Sequence, residues 1–204
     1  MKIAKLSYLL LLAGSCFGTS YQVTINASSL PPATSGFIDF AFNGGYAATA
    51  VVSNFSNAGG SLSNVGLYTQ GTVSGTLPGA VTLADNNADY DESIVYGTPI
   101  SFFLNLSGTP SGNTGDVFTV SLFDTNYDGL LTGNVNDGWL VQFQMSPQGV
   151  ITPTAYANPT GGASLATVVA TPEPGTLPMA AICAAALYGF RRLHQILQIK
   201  SSRS

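Results

Sequence analysis

Between residues 6 and 190 of this 204-residue chain there is no lysine, no arginine and no histidine. The six cationic side chains are Lys2 and Lys5 at the front and Arg191, Arg192, Lys200 and Arg203 at the back, and the single histidine is His194. Cysteine is as sparse, with Cys16 and Cys183 near opposite ends. Charged residues make up 8% of the chain, against about a quarter in an ordinary soluble domain. These absences exclude whole classes of chemistry from residues 21–170, which also hold no cysteine. They cannot build a Ser-His-Asp triad, a Ser-Lys pair, a zinc site with thiolate or imidazole ligands, or a disulfide. Nor have they a cationic clamp for phosphate. Nine of the ten acids (all but Glu173) lie between residues 21 and 170, leaving that segment near −9, so nucleic acid is repelled. Two chemistries survive: paired carboxylates acting on sugars, and oxygen ligation of a hard cation.

Each cationic cluster abuts an apolar run, and cations beside such a run mark the side of a membrane that stays cytoplasmic. At the front, Lys2 and Lys5 precede an apolar block with four consecutive leucines (Leu9 to Leu12), and small residues follow. That order reads as a secretory signal peptide over residues 1–20, too short to remain as a spanning helix. The mature chain is expected to start between Thr19 and Tyr21, where β-like alternation begins. Ala13-Gly14-Ser15-Cys16 loosely matches a lipoprotein box, so acylation of Cys16 stands as the alternative to its removal with the leader.

At the back, residues 172–192 read PEPGTLPMAAICAAALYGFRR. Pro172 and Pro174 keep the triplet extended and accessible. The apolar run 175–190 makes a helix of about 24 Å, short of the ~30 Å hydrocarbon core, and Arg191-Arg192 stop transfer. This tripartite tail resembles the PEP-CTERM sorting signal of Gram-negative bacteria. The resemblance implies that Pro172, Glu173 and Pro174 are the recognition motif, 175–190 the membrane helix, and Arg191 and Arg192 the basic cluster. It further implies processing by an exosortase, a membrane cysteine protease-transpeptidase, and release outside the cell, often alongside exopolysaccharide. Residues 193–204 form a cytoplasmic basic tail, longer than the usual short end. A single-pass protein that stays anchored is the competing reading.

The cargo between these addresses is rich in glycine, serine, threonine and asparagine. It shows period-two alternation instead of helical spacing. Ile100, Phe102, Leu104 and Leu106 share one face, as do Trp139, Val141, Phe143 and Met145. Turn signals such as Asn57-Ala58-Gly59-Gly60, Pro78-Gly79 and Asp137-Gly138 fall between the runs. The expectation is an all-β fold, a single antiparallel β-sandwich of jelly-roll type over residues 21–157, with a linker over 158–171 that holds at most one last strand. The segments PISFFLNLSG and DVFTVSLFDTNYDGLLTGNVNDGWLVQF resemble a family of small bacterial PEP-CTERM proteins. That likeness implies fold and export, and no activity.

Three groups of residues could do chemistry. Asp89, Asp91 and Glu92 are the carboxylates for glycoside hydrolysis, but their run (ADNNADYDES) reads as a solvated loop without the apolar pocket that raises a pKa. Asp124, Asn126 and Asp128, followed by Gly129, reproduce the first half of a calcium loop. Val135 stands where that loop needs a bidentate Glu, and the same residues suit a hairpin turn; the acidic run from Asp85 to Glu92 is a second calcium candidate, with an ordinary turn as its alternative. Trp139 and tyrosines outside the alternating runs (Tyr46, Tyr68, Tyr90, Tyr127, Tyr156) could stack on sugar, although the alignment of Trp139 places it in the core. The expected protein is exported, sorted by its tail and without catalytic activity, at the cell surface or in extracellular matrix. The alternative is a carbohydrate-binding module for exopolysaccharide. Expected partners are the translocon and exosortase during export and the membrane through the tail. No cofactor is expected beyond calcium, and no nucleic acid.

Overall fold

Alternation becomes strand wherever the sequence carries it. The computed structural model describes residues 19–44, 48–108 and 115–171. The leader, the sorting residues Pro172, Glu173, Pro174, Arg191 and Arg192, and the apolar run between them lie outside the described residues. The described residues form ten strands: β1 Thr19–Ile25, β2 Ser35–Asn43, β3 Ala48–Asn57, β4 Ser61–Gly75, β5 Val81–Val95, β6 Ile100–Gly108, β7 Asp116–Asp124, β8 Trp139–Met145, β9 Ile151–Ala155 and β10 Ala166–Thr171. Among the described residues there is no helix.

Every pairing is antiparallel. The order is β10-β1-β6-β3-β5-β2-β7-β8-β9, with β4 beside β5. The all-β antiparallel expectation holds. The two separate sheets of a sandwich do not appear: one continuous ladder curls until its end strands β9 and β10 approach each other. The cause lies in β5. Its residues 81–84 pair with β3 and its residues 88–95 with β2, while β4 runs along its length. Between the two halves the strand bends, with Asp85 at φ 70° and Asn87 at φ 62°. Such an irregularity lets one strand turn a corner and pair with β3 at one end and with β2 at the other. The polar run expected as a solvated loop is therefore the body of this strand, and its Asp-Asn residues supply the left-handed bend.

The inner face is apolar and close-packed. Phe40 sits at its centre, with ring centroids 5.2 Å from Phe102, 6.1 Å from Phe118 and 6.3 Å from Tyr90. Ile100, Phe102, Leu104 and Leu106 are all buried, as their spacing required. With no cysteine between residues 17 and 182, this packing carries the stability without a covalent staple. The segment expected as a linker is partly sheet. β10 pairs with β1 from Ser20 opposite Thr171 to Ile25 opposite Ala166, so the domain extends to Thr171.

Candidate functional site

Strand β2 sends Ile38, Phe40 and Phe42 into the core and turns Phe37, Asp39 and Ala41 to the outer face, the consequence of a two-residue period. In register, Asp39 lies opposite Asp91 of β5 on one side and opposite Ser121 of β7 on the other. Asp89, two residues from Asp91, shares that outer face. One oxygen from each of Asp39, Asp89 and Asp91 lies within 4.8 Å of the others. Like charges directly across a ladder repel, and here they are also removed from water. Asp39 and Asp91 are each 8% exposed, and Oδ1 of Asp91 and Oδ1 of Asp89 are buried with no hydrogen-bond partner.

Burial, reinforced by the carboxyl and charge of Asp89 and by the charge of Asp91, pushes the Asp39 carboxyl up to about 9, with Ser121 pulling weakly the other way. Burial and then Asp89 push Asp91 up to about 6. The environment that raises a carboxyl's affinity for a proton is thus present, contrary to the expectation for this run. It is supplied by tertiary packing around Asp39, a residue that sequence reasoning passed over. A signal for it exists: in Phe37-Ile38-Asp39-Phe40-Ala41-Phe42 an acid interrupts an aromatic strand, in a stretch with no base to pair it.

The third expected carboxylate does not join them. Glu92 follows Asp91 and so points to the other face, where it is fully buried and accepts a hydrogen bond from the Tyr90 hydroxyl. That hydroxyl accepts in turn from the Leu77 N–H at 3.0 Å. Burial raises the Glu92 carboxyl, opposed by Tyr90 and Leu77. Asp89 and Asp91 can act together; Glu92 cannot act with either.

The loop after β7 reaches back over this face. Asp124 Oδ1 accepts from the N–H of Asn126 at 2.7 Å and of Asp128 at 2.9 Å, and the Asp124 N–H donates to Asp128 O. The backbone bond from Asp128, then that from Asn126, holds the Asp124 carboxyl below its ordinary value. This is an Asx-type turn, in which the Asp124 carboxylate is spent on its own loop. Tyr127, at φ 64°, stacks on Phe37 with centroids 4.6 Å apart and planes 10° apart. Its phenol is raised by burial and by the charges of Asp91, Asp89 and Asp39.

Trp139 departs from its expected place. The pairing of β7 with β8 slips between Val120 and Ser121, so that Val120 faces Val141 while Ser121 faces Trp139. This bulge puts both Leu140 and Val141 in the core and turns Trp139 out of line with Val141, Phe143 and Met145. Half-buried, it packs near Tyr156, centroids 6.5 Å apart. It also helps line a groove of about 310 Å³ with Gln70, Asn43, Asn87, Asp89 and Thr119. Of the expected stacking tyrosines, Tyr90 is in the core, whereas Tyr68 is exposed beside Asp91 and donates to Gln70 Oε1 at 2.8 Å. Tyr46 lies outside the described residues.

Comparison with protein-family models, with curated proteins and with solved structures finds no match for this chain.

Proposed function

We propose that this chain is an exported, non-catalytic β-domain delivered to the cell surface or extracellular matrix, sorted through a tail of PEP-CTERM type by an exosortase. The observation that carries this reading is the partition of charge. All six cations flank the two apolar runs, while the 19–171 domain has none. The fold is consistent with a tethered cargo. Ser20 lies opposite Thr171, so the first and last described strands are neighbours, and the last strand before Pro172 is part of the sheet. A non-catalytic role agrees with the site. Two of its three acids are almost wholly covered, which denies a sugar ring access between them.

Replacing Pro172, Glu173 and Pro174 together by alanine is expected to leave the protein in the membrane fraction while the wild-type chain is released. Cell fractionation with an antibody to the β-domain reads this. Equal release of the two chains would remove the sorting role from the triplet.

The groove beside Asp89 favours a second reading, a carbohydrate-binding module. An indole flanked by two asparagines, a glutamine and a threonine combines an apolar stacking plate with hydroxyl-matching polar groups, the makeup of a small-ligand site. The full chain in mild detergent should be retarded on an affinity gel cast with native exopolysaccharide, and Trp139→Ala should lose at least tenfold of that retardation. Equal mobility with and without the polysaccharide would leave the groove without this role.

A further inference from the structure

Three carboxylates share the outer face of β2 and β5, and nothing on that face is positive. Residues 19–171 contain no lysine, arginine or histidine, so no described side chain can neutralise Asp39, Asp89 and Asp91. Clusters of acids on protein surfaces are ordinarily solvated, but this one is not: Asp39 and Asp91 are each more than nine-tenths buried. Oδ1 of Asp91, buried and without a hydrogen-bond partner, belongs to a carboxylate that offers an oxygen within 4.8 Å of those of Asp39 and Asp89. A buried charge left unpaired costs several kcal/mol, and a buried acceptor left unmade is itself penalised. A charge that comes from solution removes both costs.

We propose that Asp39, Asp89 and Asp91 hold a calcium ion on the outer face of the sheet. The donors are all oxygen, three carboxylates with the buried Ser121 hydroxyl adjoining, and nitrogen or sulfur ligands are lacking, which selects a hard cation over zinc or copper. Calcium tolerates irregular geometry and completes its six to eight ligands with water. Asp89 is the less buried member, and Tyr127 stacks on Phe37, two residues along β2 from Asp39. The site differs from the Asp124 loop, whose leading carboxylate is bonded to its own backbone. It does not depend on how the chain is exported.

Calcium chloride titrated into the full chain in mild detergent, after removal of metals with EDTA, should give one site of dissociation constant about 0.1–1 mM, the range of extracellular modules. Saturation should raise Tm by several degrees over the EDTA state. Terbium bound in place of calcium should luminesce on excitation of the aromatic rings, since Trp139 is two strands away from Asp39, about 10 Å. Asp91→Asn and Asp39→Asn should each weaken calcium at least tenfold, whereas Asp137→Asn should not. If a variant at Asp39 or Asp91 fails to fold, Asp89→Asn and the wild-type Tm in calcium against EDTA carry the same test. The proposal is overturned if calcium up to about 10 mM, well above that range, gives neither heat nor a change in Tm. Binding that survives Asp91→Asn and vanishes in Asp124→Asn would overturn it too, by assigning the ion to the loop after β7.

Discussion

In EDTA, the stability of this protein should fall as pH rises from about 4 to about 9, the reverse of ordinary acid denaturation. Asp39 has a folded-state pKa near 9 against an ordinary value of 3.8. Between these limits the unfolded chain has released its proton and the folded chain keeps it, so the folded state binds more protons and each rise in pH favours unfolding. One proton corresponds to a slope of about 1.4 kcal/mol per pH unit, and Asp91, raised to about 6, steepens the acid half of the range. The groups that set this environment are Asp91 and Asp89 on β5, Ser121 on β7 and Tyr127 from the following loop. Melting curves at a series of pH values check it. Tm should be highest near pH 4–5, and Asp39→Asn should flatten the profile because the amide carries no titrating proton. A Tm that climbs steadily between pH 5 and pH 8 in EDTA would show that these carboxyls are ionised in the folded protein without a cation.

Phe40→Ala should cost about 3–5 kcal/mol, the range for an aromatic ring removed from a core. Phe40 is fully buried and contacts the aromatic rings of Phe102, Phe118 and Tyr90, drawn from strands β6, β7 and β5. Its loss therefore opens a cavity between both halves of the bent sheet at once. No disulfide or other covalent link offsets it. At about 2–4 °C of Tm per kcal/mol for a domain of this size, the fall should exceed about 6 °C, read directly by thermal denaturation. Phe37→Ala, one strand face away and stacked only under the partly exposed Tyr127, should fall by much less. Equal losses would mean that the outer face, and not the aromatic centre, dominates the fold.

Much of the architecture was legible in the residue order, and the exceptions share a cause. Strand β6 could be read from Ile100, Phe102, Leu104 and Leu106, because a half-buried strand writes its burial into every second position. Strand β5 could not. Its outward Asp89 and Asp91 and its inward Glu92 look like a polar loop until the cross-strand partners that cover them are known. Asp39 is the same case seen from β2: what makes it a site is the register that sets it opposite Asp91. Trp139 was misplaced because one bulged residue shifts the face of everything beyond it, and periodicity alone does not register an inserted residue. The Asp124 turn was open to two readings in sequence, and the backbone bonds to its carboxylate describe the turn. The single continuous sheet was hidden for a simpler reason, since pairing between strands distant in sequence leaves no local mark.

The exported form of the protein, recovered from the medium or cell surface and weighed intact by mass spectrometry, bears on the whole interpretation. The expected mass lacks the leader, with a mature start near Thr19 to Tyr21, and lacks the apolar run and basic tail beyond the Pro172-Glu173-Pro174 triplet. Recovery of the intact 204-residue chain from the soluble cytoplasm, with the leader still present, would contradict it.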